Sequence, residues 1–332
     1  MILLNPGPTN TRFSVKLAQW LGSDVCHRTD EFSDDLQETK RQILNIFSKK
    51  AKMEDWEVSI IAGSGTVAME AMISSLANPG MSVLVAGKYG ARALEIMSTY
   101  KILNQQLWYK TLFEVVPDRS IDNLYFVENE TSTCERFPVD YMSTKFPNAK
   151  FFIDATSAFG SSVYDNVIDK INAISFCSNK CLQSTPGLGI VIWRRRLEIK
   201  DRSYYSNLSR YVGNDIPFTL PTQSVYALKK ATKDFDCIKQ KDLFCSRSSR
   251  LIFDMIRMGI HCINIIPSNS IIAFQHPNKT YEELKKFLLK RDIVIYSGVD
   301  KVKNSFRIST MSVKFDKKYS KILRALSDSC IR

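Results

Sequence analysis

The chain has 332 residues, of which 44% are hydrophobic and 11% aromatic, and its formal net charge is +12. The length is sufficient for one large domain and a smaller one, and the composition is that of a globular protein with an apolar core. No apolar run reaches the roughly 18–20 residues that cross a bilayer, and the N-terminus lacks the basic start and long apolar stretch of a signal peptide. We therefore expect a cytoplasmic protein without a membrane partner.

The eight cysteines and three histidines limit the possible disulfide and metal chemistry. Without a signal peptide, the cysteines are better interpreted as reduced thiols than as a disulfide framework. The histidines are scattered, and Cys177 and Cys181 do not have the spacing of a zinc ribbon. The sequence therefore predicts no metal site.

The positive charge admits a nucleic-acid-binding interpretation. The lysines and arginines are spread through the chain, however, and no recognisable nucleic-acid motif accompanies them. A solvated basic surface is the favoured interpretation, and we expect no nucleic-acid partner. A positive field would also attract a dianionic small substrate.

Short apolar runs alternate with longer helical patterns, which favours an α/β layer architecture. The continuous apolar character of the runs predicts strands buried on both faces of a mostly parallel sheet. The predicted strands are residues 58–61, 82–86, 124–128, 151–154, 174–178, 189–193, 271–274 and 305–310. The predicted helices are residues 66–76, 91–99, 223–258 and 281–290.

A change in composition, together with Pro217 and Pro221, predicts a domain boundary near residue 215. We expect a large domain over residues 1–215 and a smaller α+β domain over residues 216–332. The first turns of the chain, about residues 1–15, are expected to pack on the smaller domain.

The segment AGSGT at 62–66 lies between a predicted strand and a predicted helix. Glycines at such a place let the backbone approach a ligand, and the N–H groups at the helix start attract an anion. Ser64 and Thr66 add hydroxyl donors. The segment is neither a Walker A loop nor a dinucleotide fingerprint, and a tight connection without a ligand is the alternative.

Two ionisable residues lie at or just after the carboxyl ends of predicted buried strands, where α/β sheets bind their ligands. A carboxylate buried at Asp154 needs a cationic partner, and a pyridinium nitrogen would serve; a helix N-cap is the alternative. Lys180 lies in apolar surroundings that would lower its pKa and let it attack an aldehyde. A lone lysine at a strand end is usually an ordinary surface residue, but the interval from Asp154 to Lys180 indicates a shared site.

Together these features resemble the class V family of fold-type I pyridoxal-phosphate enzymes, and the flanking segments resemble its 2-aminoethylphosphonate–pyruvate aminotransferase subfamily. The resemblance covers nearly the whole chain in order. The segments that carry it are LNPGPT at 4–9, GSGTVAMEAM at 63–72, GKYGAR at 87–92, DATSAFG at 154–160, SNKCLQ at 178–183, PGLG at 186–189, IYSG at 295–298 and SFRI at 305–308.

The resemblance implies the fold-type I transferase fold, in which a mostly parallel seven-stranded sheet flanked by helices forms the large domain. It implies pyridoxal 5'-phosphate as the cofactor. It also implies a homodimer with shared active sites, in which Thr222 reaches the cofactor phosphate of the neighbouring subunit. A helix N-cap is the alternative role for Thr222.

The same resemblance implies roles for the site residues. Lys180 would hold the cofactor as a Schiff base and carry a proton, and Asp154 would keep the pyridine nitrogen protonated. Tyr89 would stack on the cofactor ring, Thr131 would lie near its phenolic oxygen, and Arg307 would bind the phosphonate or carboxylate of the substrate. The implied cofactor-binding residues are Ser64, Gly65, Thr66, Tyr89, Thr131, Asp154, Ser178, Lys180 and Thr222. An ordinary aromatic beside a helix and a surface charge at a strand edge are the alternatives for Tyr89 and Arg307.

The resulting hypothesis is transfer of an amino group between 2-aminoethylphosphonate and pyruvate, giving phosphonoacetaldehyde and alanine. Segments 26–32, 128–133 and 202–219 depart from the subfamily pattern on the substrate side. They leave open another class V aminotransferase, which would use alanine or serine with glyoxylate or pyruvate. A basic, non-catalytic binding protein of the same fold is the further alternative.

Overall fold

The computed structural model describes residues 1–213, 216–264, 268–300 and 302–331. The helices are α1 (Phe13–Trp20), α2 (Asp30–Phe47), α3 (Gly65–Leu76), α4 (Lys88–Thr99), α5 (Val139–Lys145), α6 (Thr222–Thr232), α7 (Cys237–Arg257), α8 (Tyr281–Leu289) and α9 (Tyr319–Cys330). The strands are β1 (Ile2–Leu3), β2 (Trp56–Ala62), β3 (Met81–Val85), β4 (Asn104–Trp108), β5 (Asn123–Val127), β6 (Asn129–Glu130), β7 (Glu135–Arg136), β8 (Lys150–Asp154), β9 (Ile171–Cys177), β10 (Leu188–Arg194), β11 (His261–Cys262), β12 (Ile271–Gln275), β13 (Ile293–Val294), β14 (Tyr296–Ser297) and β15 (Ser305–Ser309).

The larger sheet has seven strands in the order β2-β10-β9-β8-β5-β3-β4. β10 is antiparallel to both of its neighbours, and the remaining pairs are parallel. Alternate side chains enter two different cores, so that Ile174 and Phe176 face one layer of helices whereas Ala173 faces the other. Burial on both faces explains why these strands are continuous apolar runs. The predicted α/β fold with a mostly parallel seven-stranded sheet is confirmed.

The direction of the strands brings three predicted site segments to one edge of this sheet. β2 and β9 are each antiparallel to β10, and β8 is parallel to β9, so all three strands end at the same edge. Residues 63–66 follow β2, Asp154 ends β8, and Lys180 follows β9. This edge is where α/β sheets of this kind hold their ligands.

A second, antiparallel sheet with the order β11-β12-β15-β14 shares an apolar core with α7, α8 and α9. β1 pairs with β13, and Ile2 and Leu4 lie in this second core. Val225 and Leu228 of α6, by contrast, pack in the core of the larger sheet. Residue 215, at the predicted domain boundary, lies outside the described residues, and the boundary stays a prediction.

The single helix predicted over residues 223–258 is wrong, because α6 and α7 are separate helices. Asp234 between them has a φ of 58°, a left-handed conformation that interrupts a helix. Asp236 then begins α7 as its N-cap, where its Oδ1 accepts from the Lys239 N–H at 3.0 Å. Both helices are amphipathic, so the apolar pattern continued across the break and concealed it.

Strand β4 was not predicted, because its sequence NQQLW carries no apolar run. It occupies the edge of the larger sheet beside β3, where its residues are half-buried or exposed. Among the described residues, none of the helices combines the length and the hydropathy that crossing a bilayer requires.

Candidate active site

The start of α3 forms a tight loop at the end of β2. Ser64 is the N-cap of the helix, and its hydroxyl accepts from the Thr66 N–H at 3.3 Å. A Cβ added at Gly65 would lie 3.1 Å from the side chain of Thr156, so glycine allows this close approach. Gly63 has a φ of +150°, a backbone conformation that residues other than glycine rarely adopt. Its N–H donates to the Gly187 carbonyl at 2.8 Å. The loop therefore directs the first turn of α3, with its N–H groups, towards the segments that follow β8 and β9.

Asp154 is the buried carboxylate of the site. The residue is 1% exposed, and Oδ1 accepts from the Thr156 N–H at 2.9 Å. Burial raises the pKa of Asp154 from 3.8 to about 6, although the hydrogen bonds from Thr156 act in the opposite direction. Over the part of the chain that the structure describes, no lysine, arginine or histidine forms an ion pair with it within 4.0 Å. A carboxylate in such surroundings suits a cationic N–H donor, and a protonated pyridine nitrogen fits it.

Lys180 lies in the turn after β9. Gly7 of the N-terminal segment packs against it, since a Cβ at Gly7 would lie 2.7 Å from Cδ of Lys180. Burial lowers the pKa of Lys180, against the influence of the Cys177 and Cys181 thiols and of Asp154. The lowered pKa increases the fraction of neutral amine, which is the form that attacks a carbonyl carbon.

Tyr89 and Arg92 lie on the first turns of α4 and face the start of α3. The Arg92 guanidinium lies over the Tyr89 ring, 5.1 Å from its centre, and Nη1 donates to Oγ1 of Thr66 at 3.2 Å. Burial raises the pKa of the Tyr89 hydroxyl. Sequence reasoning assigned no role to Arg92. The signal that could have found it is the spacing of three residues from Tyr89, which places both side chains on one helix face.

Thr131 connects the two sheets. Its Oγ1 lies 2.9 Å from Oγ of Ser157, and its carbonyl accepts from Nη1 of Arg307 on β15. Nε of Arg307 donates to the Ser297 carbonyl at 2.5 Å, and the guanidinium lies 4.9 Å from the centre of the Tyr296 ring. Arg307 is only 6% exposed. It is therefore an oriented, buried guanidinium and not the surface charge of the alternative interpretation.

The last two predicted residues have contacts of a different kind. Ser178 is buried, and its hydroxyl donates to the Thr185 carbonyl at 2.6 Å. Thr222 is the first residue of α6, and its hydroxyl lies 3.2 Å from Oε1 of Gln223. These contacts are made within one chain, and the roles of both residues stay predictions.

The sheet order, with Asp154 at the end of β8 and Lys180 after β9, agrees with the fold-type I transferase fold that the sequence predicts. Solved structures agree with this fold. An aspartate aminotransferase of subgroup IV from Thermus thermophilus superposes with a TM-score of 0.87 at 23% identity, and each chain is covered completely. An alanine–glyoxylate aminotransferase from Nostoc superposes with a TM-score of 0.84 at 20% identity, over 100% of this chain and 95% of the other.

Among curated proteins, a 2-aminoethylphosphonate–pyruvate transaminase from Phocaeicola vulgatus is 25% identical, and the alignment covers 98% of each chain. A protein of the same name from Salmonella dublin is 26% identical over 98% of this chain. No protein-family model matches. The resemblance seen in the sequence is thus confirmed, and pyridoxal phosphate is the expected cofactor.

Proposed function

We propose that this chain is a pyridoxal-phosphate-dependent aminotransferase that transfers an amino group between 2-aminoethylphosphonate and pyruvate. The observation that supports this most directly is the convergence of Lys180, Asp154 and the start of α3 at one edge of the larger sheet. The name shared by relatives that align over nearly the whole chain supports the choice of substrates.

In this proposal the bound cofactor supplies an electron sink for the charge left when a proton leaves the substrate carbon. Nζ of Lys180 would hold the cofactor covalently and, when free, would carry a proton to or from the substrate carbon. Asp154 would accept a hydrogen bond from the ring nitrogen and so keep that nitrogen protonated. Tyr89 contributes a flat ring face that excludes water from one side.

In this proposal the phosphate of the cofactor and the acidic group of the substrate bind at two different places. Ser64, Gly65 and Thr66 hold the cofactor phosphate at the start of α3, and Arg92, bonded to Thr66 at 3.2 Å, adds a positive charge beside it. Arg307 binds the phosphonate or carboxylate of the substrate through its planar fork, and Thr131 lies between the two sheets near the cofactor.

The proposal includes a homodimer in which Thr222 reaches the neighbouring cofactor phosphate. Two observations support it. Thr222 begins α6, which packs against α1, and α1 carries Phe13 and Trp20, which are 77% and 79% exposed. Phe13 and Trp20 are seven residues apart and so lie on one face of α1, and exposed apolar side chains grouped on one face favour a surface that another subunit covers.

A donor–acceptor screen of the purified protein with added cofactor tests the proposed substrates. We expect alanine to form from 2-aminoethylphosphonate and pyruvate. Alanine or serine with glyoxylate forms the second arm of the screen. If only the second arm reacts, the chain is an aminotransferase with a different substrate.

Lys180→Ala tests the proposed class of enzyme. This variant should lose turnover together with the visible absorbance that arises from the covalent bond between Nζ and the cofactor, because both require Nζ. The exposed Lys49 offers a matched control, and Lys49→Ala should retain both properties. A wild-type protein that acquires no cofactor absorbance, but binds nucleic acid in a salt-sensitive manner, would contradict the proposal.

A further inference from the structure

The first turn of α4 is capped by a segment that is distant in the sequence. Oε2 of Glu130 accepts from the N–H groups of Tyr89 and Gly90 at 3.1 and 3.0 Å. Oγ of Ser132 accepts from the N–H of Lys88 at 2.9 Å. The helix itself cannot satisfy these three N–H groups, so the segment around Glu130 takes the place of a local N-cap.

Gly87, which precedes α4, makes room for this carboxylate. A Cβ at Gly87 would lie 2.7 Å from Cγ and Cδ of Glu130. The φ of Gly87 is 173°, an extended conformation open to any residue, so the requirement is one of space. The GKYG segment at 87–90 is therefore built around the Glu130 side chain.

The other carboxylate oxygen fixes the turn that carries Thr131. Oε1 of Glu130 accepts from the N–H and the hydroxyl of Ser132, at 3.1 and 2.5 Å. Glu130 is 0% exposed, and this set of donors is what a buried carboxylate requires. Thr131 thus lies between Glu130 and Ser132, which are both held by hydrogen bonds. Its carbonyl accepts from Arg307, and its hydroxyl is hydrogen-bonded to that of Ser157.

We propose that Glu130 is a positioning residue of the active site, whose carboxylate fixes the Tyr89 ring by holding the start of α4 against the turn that carries Thr131. It acts through Tyr89 and does not contact the reacting atoms. The inference rests on the proposed function, since it requires that Tyr89 contacts the cofactor. A purely structural helix cap would stabilise the fold without affecting that contact.

A double-mutant cycle with Glu130→Gln and Tyr89→Ala separates these two roles. Glutamine keeps the size of the side chain, but its Nε2 cannot accept a hydrogen bond. In the wild-type background we expect Glu130→Gln to weaken cofactor affinity about tenfold, whereas in the Tyr89→Ala background the same change should have less than about a twofold effect. The affinities are measured from the visible absorbance of the bound cofactor, and its induced circular dichroism should change in parallel.

Asp236→Asn is the matched control, since it alters another N-cap carboxylate, that of α7. It should lower thermal stability and leave cofactor affinity unchanged. If Glu130→Gln does not fold, Ser132→Ala removes one partner of the carboxylate and should show the same dependence on Tyr89, with a smaller effect.

Additive effects of the Glu130 and Tyr89 changes, in a wild-type protein that binds the cofactor, would overturn this inference alone. A wild-type protein that binds no cofactor would overturn both this inference and the proposed function. The two failures are therefore distinguishable.

Discussion

Replacing Asp154 by asparagine is expected to stabilise the cofactor-free protein while abolishing turnover. Burial raises the pKa of this carboxyl group from 3.8 to about 6. A shift of this size means that the folded protein disfavours the ionised carboxylate, relative to the unfolded chain, by about 3 kcal/mol. Asparagine has nearly the same size and carries no charge, and its Oδ1 can still accept from the Thr156 N–H.

The size of this effect depends on pH. Below about pH 4 the carboxyl group is protonated in both states, so its ionisation costs nothing. As the pH rises from about 4 to about 6, the unfolded chain releases the proton first, and the free energy of unfolding of the wild-type protein falls by up to about 3 kcal/mol. Above about pH 6 the Asp154→Asn variant should therefore be the more stable protein, and its advantage should shrink as the pH is lowered.

Urea denaturation of the cofactor-free proteins at one protein concentration, between about pH 5 and about pH 8, measures this difference. Asp122 is exposed, so Asp122→Asn controls for the loss of one negative charge. A difference between Asp154→Asn and the wild type that is absent, or that does not change with pH, would refute the reasoning. Turnover should collapse in the same variant, because a neutral amide does not keep the ring nitrogen protonated.

Arg307→Lys keeps the charge but loses the planar fork of the guanidinium. KM for the acidic substrate should therefore rise about tenfold, whereas cofactor affinity should not change. A loss of cofactor affinity instead would show that Arg307 contacts the cofactor. Arg92→Gln should weaken binding of pyridoxal phosphate about tenfold more than binding of pyridoxal, whereas equal weakening would exclude a phosphate contact. His276 is buried, its pKa is lowered to about 4, and Nδ1 accepts from the Asn278 and Lys279 N–H groups at 3.1 and 2.9 Å. As the pH falls below about 6.5, His276 becomes protonated in the unfolded chain but stays neutral in the folded chain. The free energy of unfolding should therefore fall by about 2 kcal/mol by about pH 5. Urea denaturation of His276→Gln should show a smaller loss over that range, and an equal loss would assign the effect to other groups.

Most strands of the larger sheet could be predicted, because a strand that is buried on both faces consists of a continuous run of apolar residues. Asp154 and Lys180 could be recognised as candidate site residues for the same reason. A charged residue at or just after the end of such a run is buried at a high cost unless it has a partner. β4 lacked this signal, because an edge strand with exposed residues can be polar. The break between α6 and α7 was hidden because residues 233–236 do not interrupt the apolar pattern of the two helices.

Other parts of the site depend on contacts between segments that are distant in the sequence. Arg92 was visible as part of a helix, but its bond to Thr66 exists only because α4 and α3 lie side by side.

The role of Glu130 could be predicted from the local sequence even less than that of Arg92. A helix N-cap is normally sought in the residue before the helix, and the residue before α4 is Gly87, which has no side chain to offer. The sequence motif therefore looks like a weakly capped helix. Only the fold brings the Glu130 carboxylate to the N–H groups of Tyr89 and Gly90, and the Ser132 hydroxyl to the N–H of Lys88. The space that these two side chains occupy is the reason that glycine is required at position 87. When a helix in an active site begins with an uncapped glycine, a distant acid packed against that glycine is the feature to look for.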